Sequence, residues 1–154
     1  MDKISPCLWF DGNAEQAVAF YLSVFGGEEI DRLFYNDAGP GPNGSVLSIN
    51  FRLHGQTFIA LNGGAEVSFN HALSLLVNCE HQQEIDRLWD GLLFNGGRSL
   101  QCGWVQDQFG VCWQIVPRSL DFMLQDKQRA PVVMAALLKM SKLDLAALAA
   151  AYRQ

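Results

Sequence analysis

The chain has 154 residues, 49% of them apolar, which is enough for one domain with a sizeable core. Its formal net charge of −5 and the lack of any basic run argue against nucleic acid as a partner. No apolar stretch reaches the roughly 18 residues of a membrane span, so no membrane partner is expected.

No long apolar core near residues 1–10 precedes a small-residue cleavage site, and a cytoplasmic setting is expected. The four cysteines, Cys7, Cys79, Cys102 and Cys112, form no CxxC pair and are expected as reduced thiols.

Residues 4–10 are an apolar run of strand length, turned by Asp11-Gly12. Asn13 and Gln16 have capping-box spacing, and Ala14, Ala17, Val18, Tyr21, Val24 and Phe25 recur at helical intervals before Gly26-Gly27. Residues 28–35 read as a strand. The segment 36–44, NDAGPGPNG, reads as a mobile loop because of its Gly and Pro content. Residues 45–53 and 56–62 read as a hairpin around His54-Gly55, and Gly63-Gly64 breaks the chain again.

The pattern then restarts. Residues 72–79 read as a strand and 82–94 as a helix with Ile85, Leu88, Trp89 and Leu92 on one stripe. Gly96-Gly97 closes that helix, and a short strand at 98–100 follows. The stretch 101–117, QCGWVQDQFGVCWQIVP, is a second hairpin turning at Asp107-Gln108-Phe109-Gly110. Period 2 sends Cys112, Gln114 and Val116 to one face and Trp113 and Ile115 to the other.

The whole reads as an internal duplication of β-α-β-β-β units. The fold class is α+β: paired modules over residues 1–118, divided at about 66/67, and a helical tail over 119–154. Pro131 suits a helix start, and Ser141 and Asp144 form an S-x-x-D box before a last helix. A tail so rich in Leu, Ala and Met must pack on its own domain or on a second subunit.

Five stretches carry a resemblance: PCLWFDGNAEQAVAFY at 6–21, GQTFIALNGG at 55–64, FNHALSLLVNCE at 69–80, the hairpin at 101–117 and VMAALLKMSKLDLAALAAAY at 133–152. The chain resembles the vicinal-oxygen-chelate superfamily of glyoxalase I, bleomycin-resistance proteins and extradiol dioxygenases. More closely it is similar to the PhnB-like branch, often labelled 3-demethylubiquinone-9 3-methyltransferase. The resemblance implies a cleft formed by two βαβββ modules, commonly completed in a homodimer.

Enzymes of that superfamily usually hold a divalent metal with His, Glu or Gln on four strands. The resemblance places those positions at Pro6, Ala60, Ala72 and Gln114, where three of four lack a ligating side chain. His54, His71 and His81 are scattered and read as surface or capping residues. A Gly-rich turn for S-adenosylmethionine should follow a strand and open a helix, whereas Gly39–Gly44 leads into a strand and its prolines remove backbone donors. No metal and no cofactor are expected.

The same alignment, with strand parity, gives an expected cleft lining of Leu8, Phe10, Phe58, Ala60, Asn62, Ser74, Leu76, Cys112, Gln114 and Val116. Trp104 is either core or an aromatic wall, while Trp9, Trp89 and Trp113 read as packing. Phe10, Phe58, Asn62, Ser74, Trp104, Cys112 and Gln114 are the expected ligand-binding residues. Cys102 and Cys112 are the only candidates for a nucleophile, and neither has a His or Lys beside it in sequence. The lining suits an uncharged or aromatic small molecule. The readings are therefore a metal-independent small-molecule binder, an enzyme with an isomerase- or lyase-like reaction, or a structural dimer with a vestigial cleft.

Overall fold

The computed structural model describes residues 2–64 and 66–154. Two compact units divide the chain, Met1–Ser68 and Phe69–Gln154.

The first unit runs β1 (Cys7–Phe10), α1 (Ala14–Phe25), β2 (Glu28–Phe34), β3 (Val46–Leu53) and β4 (Gln56–Asn62). Its sheet order is β1-β4-β3-β2, with β1 parallel to β4 and the other pairs antiparallel. The second unit repeats this path with β5 (Leu75–Cys79), α2 (Gln82–Leu93), β6 (Arg98–Ser99), β7 (Trp104–Gln106) and β8 (Cys112–Pro117). Its order is β5-β8-β7-β6, again with the first and last strands parallel. The tail forms α3 (Ser119–Gln125), α4 (Ala130–Leu137) and α5 (Leu145–Tyr152). The architecture is thus two βαβββ modules with C-terminal helices. Among the described residues no helix is long and apolar enough to cross a membrane.

In the first unit α1 covers one sheet face. Tyr21 stacks on Phe51 at 6.3 Å between ring centroids, and Phe51 stacks on Phe58 at 5.4 Å. The register pairs Leu8 with Ala60 and Phe10 with Asn62, so these residues share that helix-covered face and are buried. Trp9, read from the sequence as packing, lies on the other face and is 40% exposed.

The start of α1 departs from the expected capping box. Asn13 makes no side-chain cap. Instead Asn62 Oδ1, from the end of β4, accepts the Ala14 N–H at 2.9 Å. A long-range partner supplies what the local motif does not, which is one of the ways a helix start is satisfied.

In the second unit Val105, Trp113 and Ile115 are buried beside the apolar stripe of α2. His81 caps that helix by accepting the Glu84 N–H. On the other face, Val116 joins Leu120, Met123, Val133, Leu137, Leu143 and Leu148 in a cluster built by the tail. The tail therefore packs on its own unit, and backbone bonds fasten it there. Met140 and Ser141 carbonyls accept the Cys102 and Gly103 N–H groups at 2.8 and 2.7 Å. Gln82 donates to the Leu143 carbonyl and accepts from the Leu145 N–H. The cap of α5 is Asp144, accepting Ala147 N–H, so the S-x-x-D box is shifted from Ser141 to its second member.

Candidate functional site

Between the uncovered sheet face of the second unit and the tail lies a cavity of about 490 Å³. Leu76, Gln114, Val116 and Trp104 line it from the strands, and Cys102 lines it from the turn before β7. Leu120 and Asp121 of α3 and Met134, Leu137 and Leu138 at α4 close it from the tail side. The lining is mainly aliphatic, with one indole and a few polar groups. That composition and volume lie within the range of small-molecule pockets.

Gln114 sits in mid-strand, opposite Leu76 on β5 and Trp104 on β7. Its Nε2 donates to Ser74 Oγ at 2.8 Å. Ser74 thus orients the amide without lining the cavity. Among the described residues the Gln114 carbonyl oxygen has no donor from the protein, which leaves an acceptor for a guest. The Trp104 ring lies 6.5 Å from the His71 ring, centroid to centroid and tilted, and serves as an aromatic wall.

The hairpin that presents Gln114 is fixed by one carboxylate. Asp107 is 3% exposed. Its Oδ1 accepts the N–H groups of Phe109 and Val111, and its Oδ2 accepts Trp113 Nε1 at 2.8 Å. An Asp side chain bonding its own turn is the expected device here, and the indole bond ties that turn to the core.

Of the residues expected in a ligand site, the structure brings Ser74, Trp104 and Gln114 together. Phe10 and Phe58 lie elsewhere, in the core beneath α1, not on an open face. The physical reason is that β1 and β4 are apolar on both faces. Cys7, Trp9, Ile59 and Leu61 alternate with Leu8, Phe10, Phe58 and Ala60, so the period is readable but its sidedness is not.

Asn62 also belongs to the helix-covered face. Its side chain accepts from Ala14 and donates to Glu15 and to the Val46 carbonyl, and its own carbonyl accepts the Tyr35 hydroxyl at 2.6 Å. These bonds clasp β4, α1 and Tyr35 beside a cavity of about 320 Å³. The loop read as mobile folds back on that tyrosine. A Cβ at Gly41 would lie 2.4 Å from the Tyr35 ring, and Gly44 N–H bonds the Tyr35 carbonyl.

The cysteines separate by burial. Cys112 shares the parity of Gln114 but is 1% exposed, outside the cavity lining. Burial, reinforced by the Asp107 carboxylate, raises its thiol above the usual range, which opposes a nucleophilic thiolate. Cys79 is pushed up to about 12, mainly by burial. Cys102 reaches the cavity with a left-handed backbone, φ 58°, and among the described residues no His or Lys lines the cavity to act as its base. Native protein treated with iodoacetamide is expected to label at exposed Cys7, while Cys79 and Cys112 react only after unfolding. Rapid native labelling of Cys112 would contradict this placement.

The tail lining is what sequence reasoning missed. The spacing of Leu and Met in residues 119–140 announces an apolar side, but no local signal states which sheet face it covers.

A repeated βαβββ module, each sheet ordered first-fourth-third-second, defines the vicinal-oxygen-chelate class of protein. Residues 2–116 match the family described as 3-demethylubiquinone-9 3-methyltransferase, and the chain belongs to that family, in its PhnB-like branch. It is 34% identical to a putative member from Bacillus cereus, a PhnB protein, covering 75% of this chain and 99% of that one at a TM-score of 0.67. Protein PA1353 from Pseudomonas aeruginosa is 22% identical, covering 76% of this chain and 98% of that one, with a TM-score of 0.63. The fosfomycin resistance protein FosX from Listeria monocytogenes, complexed with Mn(II) and sulfate, shares the fold at 13% identity and a TM-score of 0.56. That likeness covers 81% of this chain and 98% of FosX. No protein of curated description matches the chain. The family match ends at residue 116, so the tail likeness at 133–152 lies outside it.

The donor set does not fit a metal of the superfamily kind. Pro6, Ala60 and Ala72 offer no side-chain ligand to accompany Gln114, and Ala60 is buried on the helix-covered face. The neighbouring open-face positions are Cys7, Trp9, Ile59 and Leu61, which add a single thiol. Among the described residues no three His, Cys, Asp or Glu side chains gather as a metal cluster. S-adenosylmethionine fits no better. The strand–turn–helix at β1–α1 has one glycine, Gly12. Asn62 takes its first helical N–H, and the Asp11 and Glu15 carboxylates beside that turn would repel an anionic group.

Proposed function

We propose that the protein binds an apolar, aromatic small molecule in the cavity of the second unit, without a metal. The observation that carries this reading is the Gln114 amide. It is held from behind by Ser74, has an acceptor to spare, and sits beside the Trp104 indole in a mainly aliphatic cavity of about 490 Å³. Binding is favoured over group transfer because, among the described residues, the lining sets no His or Lys side chain beside its one thiol, Cys102.

A thermal-shift screen of one- and two-ring aromatics, followed by calorimetry, tests the proposal. Gln114→Leu is expected to weaken the ligands found by roughly tenfold, since a lost hydrogen bond leaves its partner unsatisfied. Leu has a similar volume and suits the wall, so the variant is expected to fold. Equal affinities in the two proteins would remove Gln114 from the site.

A further inference from the structure

We infer that the ligand of this cavity carries a protonated amine with N–H donors on its apolar, aromatic body. This rests on the reading of the cavity as a small-molecule site and adds the charge of its guest.

Ser74 takes one N–H of the Gln114 amide and leaves its oxygen as an acceptor, while Asn78, also in the lining, can donate or accept. Asp121, on the first turn of α3, contributes a carboxylate, only an acceptor when ionised. Among the described residues no Lys, Arg or His side chain lines the cavity to neutralise it.

The nearest arginines in the chain have other partners. Arg118 pairs with Glu80 at 2.6 Å, and Arg129 pairs with Asp126 and covers the Tyr152 ring. Asp121 itself enters none of the ion pairs among the described residues. A carboxylate in a helix's first turn has an ordinary use in complementing the helix dipole. That use accounts for an acid on α3 but not for its place as the one charged side chain, among the described residues, in the cavity wall. The Trp104 face adds attraction for a cation. An anion would meet the Asp121 charge with nothing opposing it, and a neutral ligand would leave that charge unused.

Three probes of one shape separate the possibilities: naphthylmethylamine, naphthylmethanol and naphthoic acid, titrated by calorimetry at neutral pH. The amine is expected to bind about threefold to fivefold tighter than the alcohol, the scale of a partly exposed ion pair, and the acid weakest. Asp121→Asn is expected to erase the amine preference, Asp121→Lys to reverse it, and about 0.5 M salt to shrink it. Asp121 is exposed, so both variants are expected to fold.

Equal binding of amine and alcohol, or an amine preference untouched by Asp121→Asn, overturns the inference and leaves the cavity as the site. If no probe binds, or if Gln114→Leu changes none of the three affinities, the cavity reading falls and the inference with it.

Discussion

Replacing Asp107 with Ala is expected to destabilise the second unit by roughly 3–5 kcal/mol, among the larger losses a single substitution produces. The carboxylate is buried and accepts three hydrogen bonds, two from the backbone of its own turn and one from the Trp113 indole. Alanine leaves all three donors where water reaches poorly, and each orphaned donor costs about 1–3 kcal/mol. Asp107→Asn separates the components. Its carbonyl can still take the Phe109 and Val111 N–H groups, but its NH₂ would face the indole N–H, so an intermediate loss of about 1–2 kcal/mol is expected. Urea unfolding followed by far-ultraviolet circular dichroism measures both variants. A loss below about 1 kcal/mol for Asp107→Ala would show that the carboxylate does not hold the hairpin.

The consequence reaches the cavity because the turn sets strand register. Gln114 faces the tail side only while Val105 pairs with Trp113 and Trp104 with Gln114. A one-residue slip would turn Trp113 and Ile115 toward the cavity and bury the amide.

Much of this was legible in the sequence, and the limits follow from particular residues. The His54-Gly55 hairpin has both residues at positive φ, 46° and 83°, as a tight two-residue turn requires. The stripe of Ile85, Leu88, Trp89 and Leu92 is buried as its spacing implies. Strand parity sets Gln114 and Val116 apart from Trp113 and Ile115, and the structure keeps that division, because β8 is a regular strand in register with β5 and β7. In β1 and β4 both sides are apolar, and nothing local tells Leu8 from Trp9. The caps at Ala14 and Leu145 come from Asn62 and Gln82, 48 and 63 residues away. Contacts of that range leave no mark in a local pattern, and the tail side of the cavity is made of them.

Gly103→Val is expected to undock the tail, cost about 3 kcal/mol or more, and abolish binding in the cavity. Gly103 has φ 82°, a region a β-branched residue avoids. A Cβ there would also stand 2.9 Å from the Ile115 carbonyl oxygen and 3.0 Å from the Leu143 side chain. The first is backbone of β8 and cannot yield cheaply. The second belongs to the tail, so the tail moves. Movement breaks the Gly103–Ser141 hydrogen bond and uncovers Leu143, which is fully buried in the tail cluster. Gly96→Val is the control. Gly96 has φ 106° with nothing within 4 Å of its Cβ position, so it carries the backbone strain alone. Limited proteolysis of residues 126–144 and calorimetry with naphthylmethanol read the two effects. The expected result is rapid cleavage and lost binding in Gly103→Val, and neither in Gly96→Val. Slow cleavage with normal binding in Gly103→Val would mean that the tail is not held at this glycine. Rapid cleavage with binding intact would mean that the cavity does not need its helical roof.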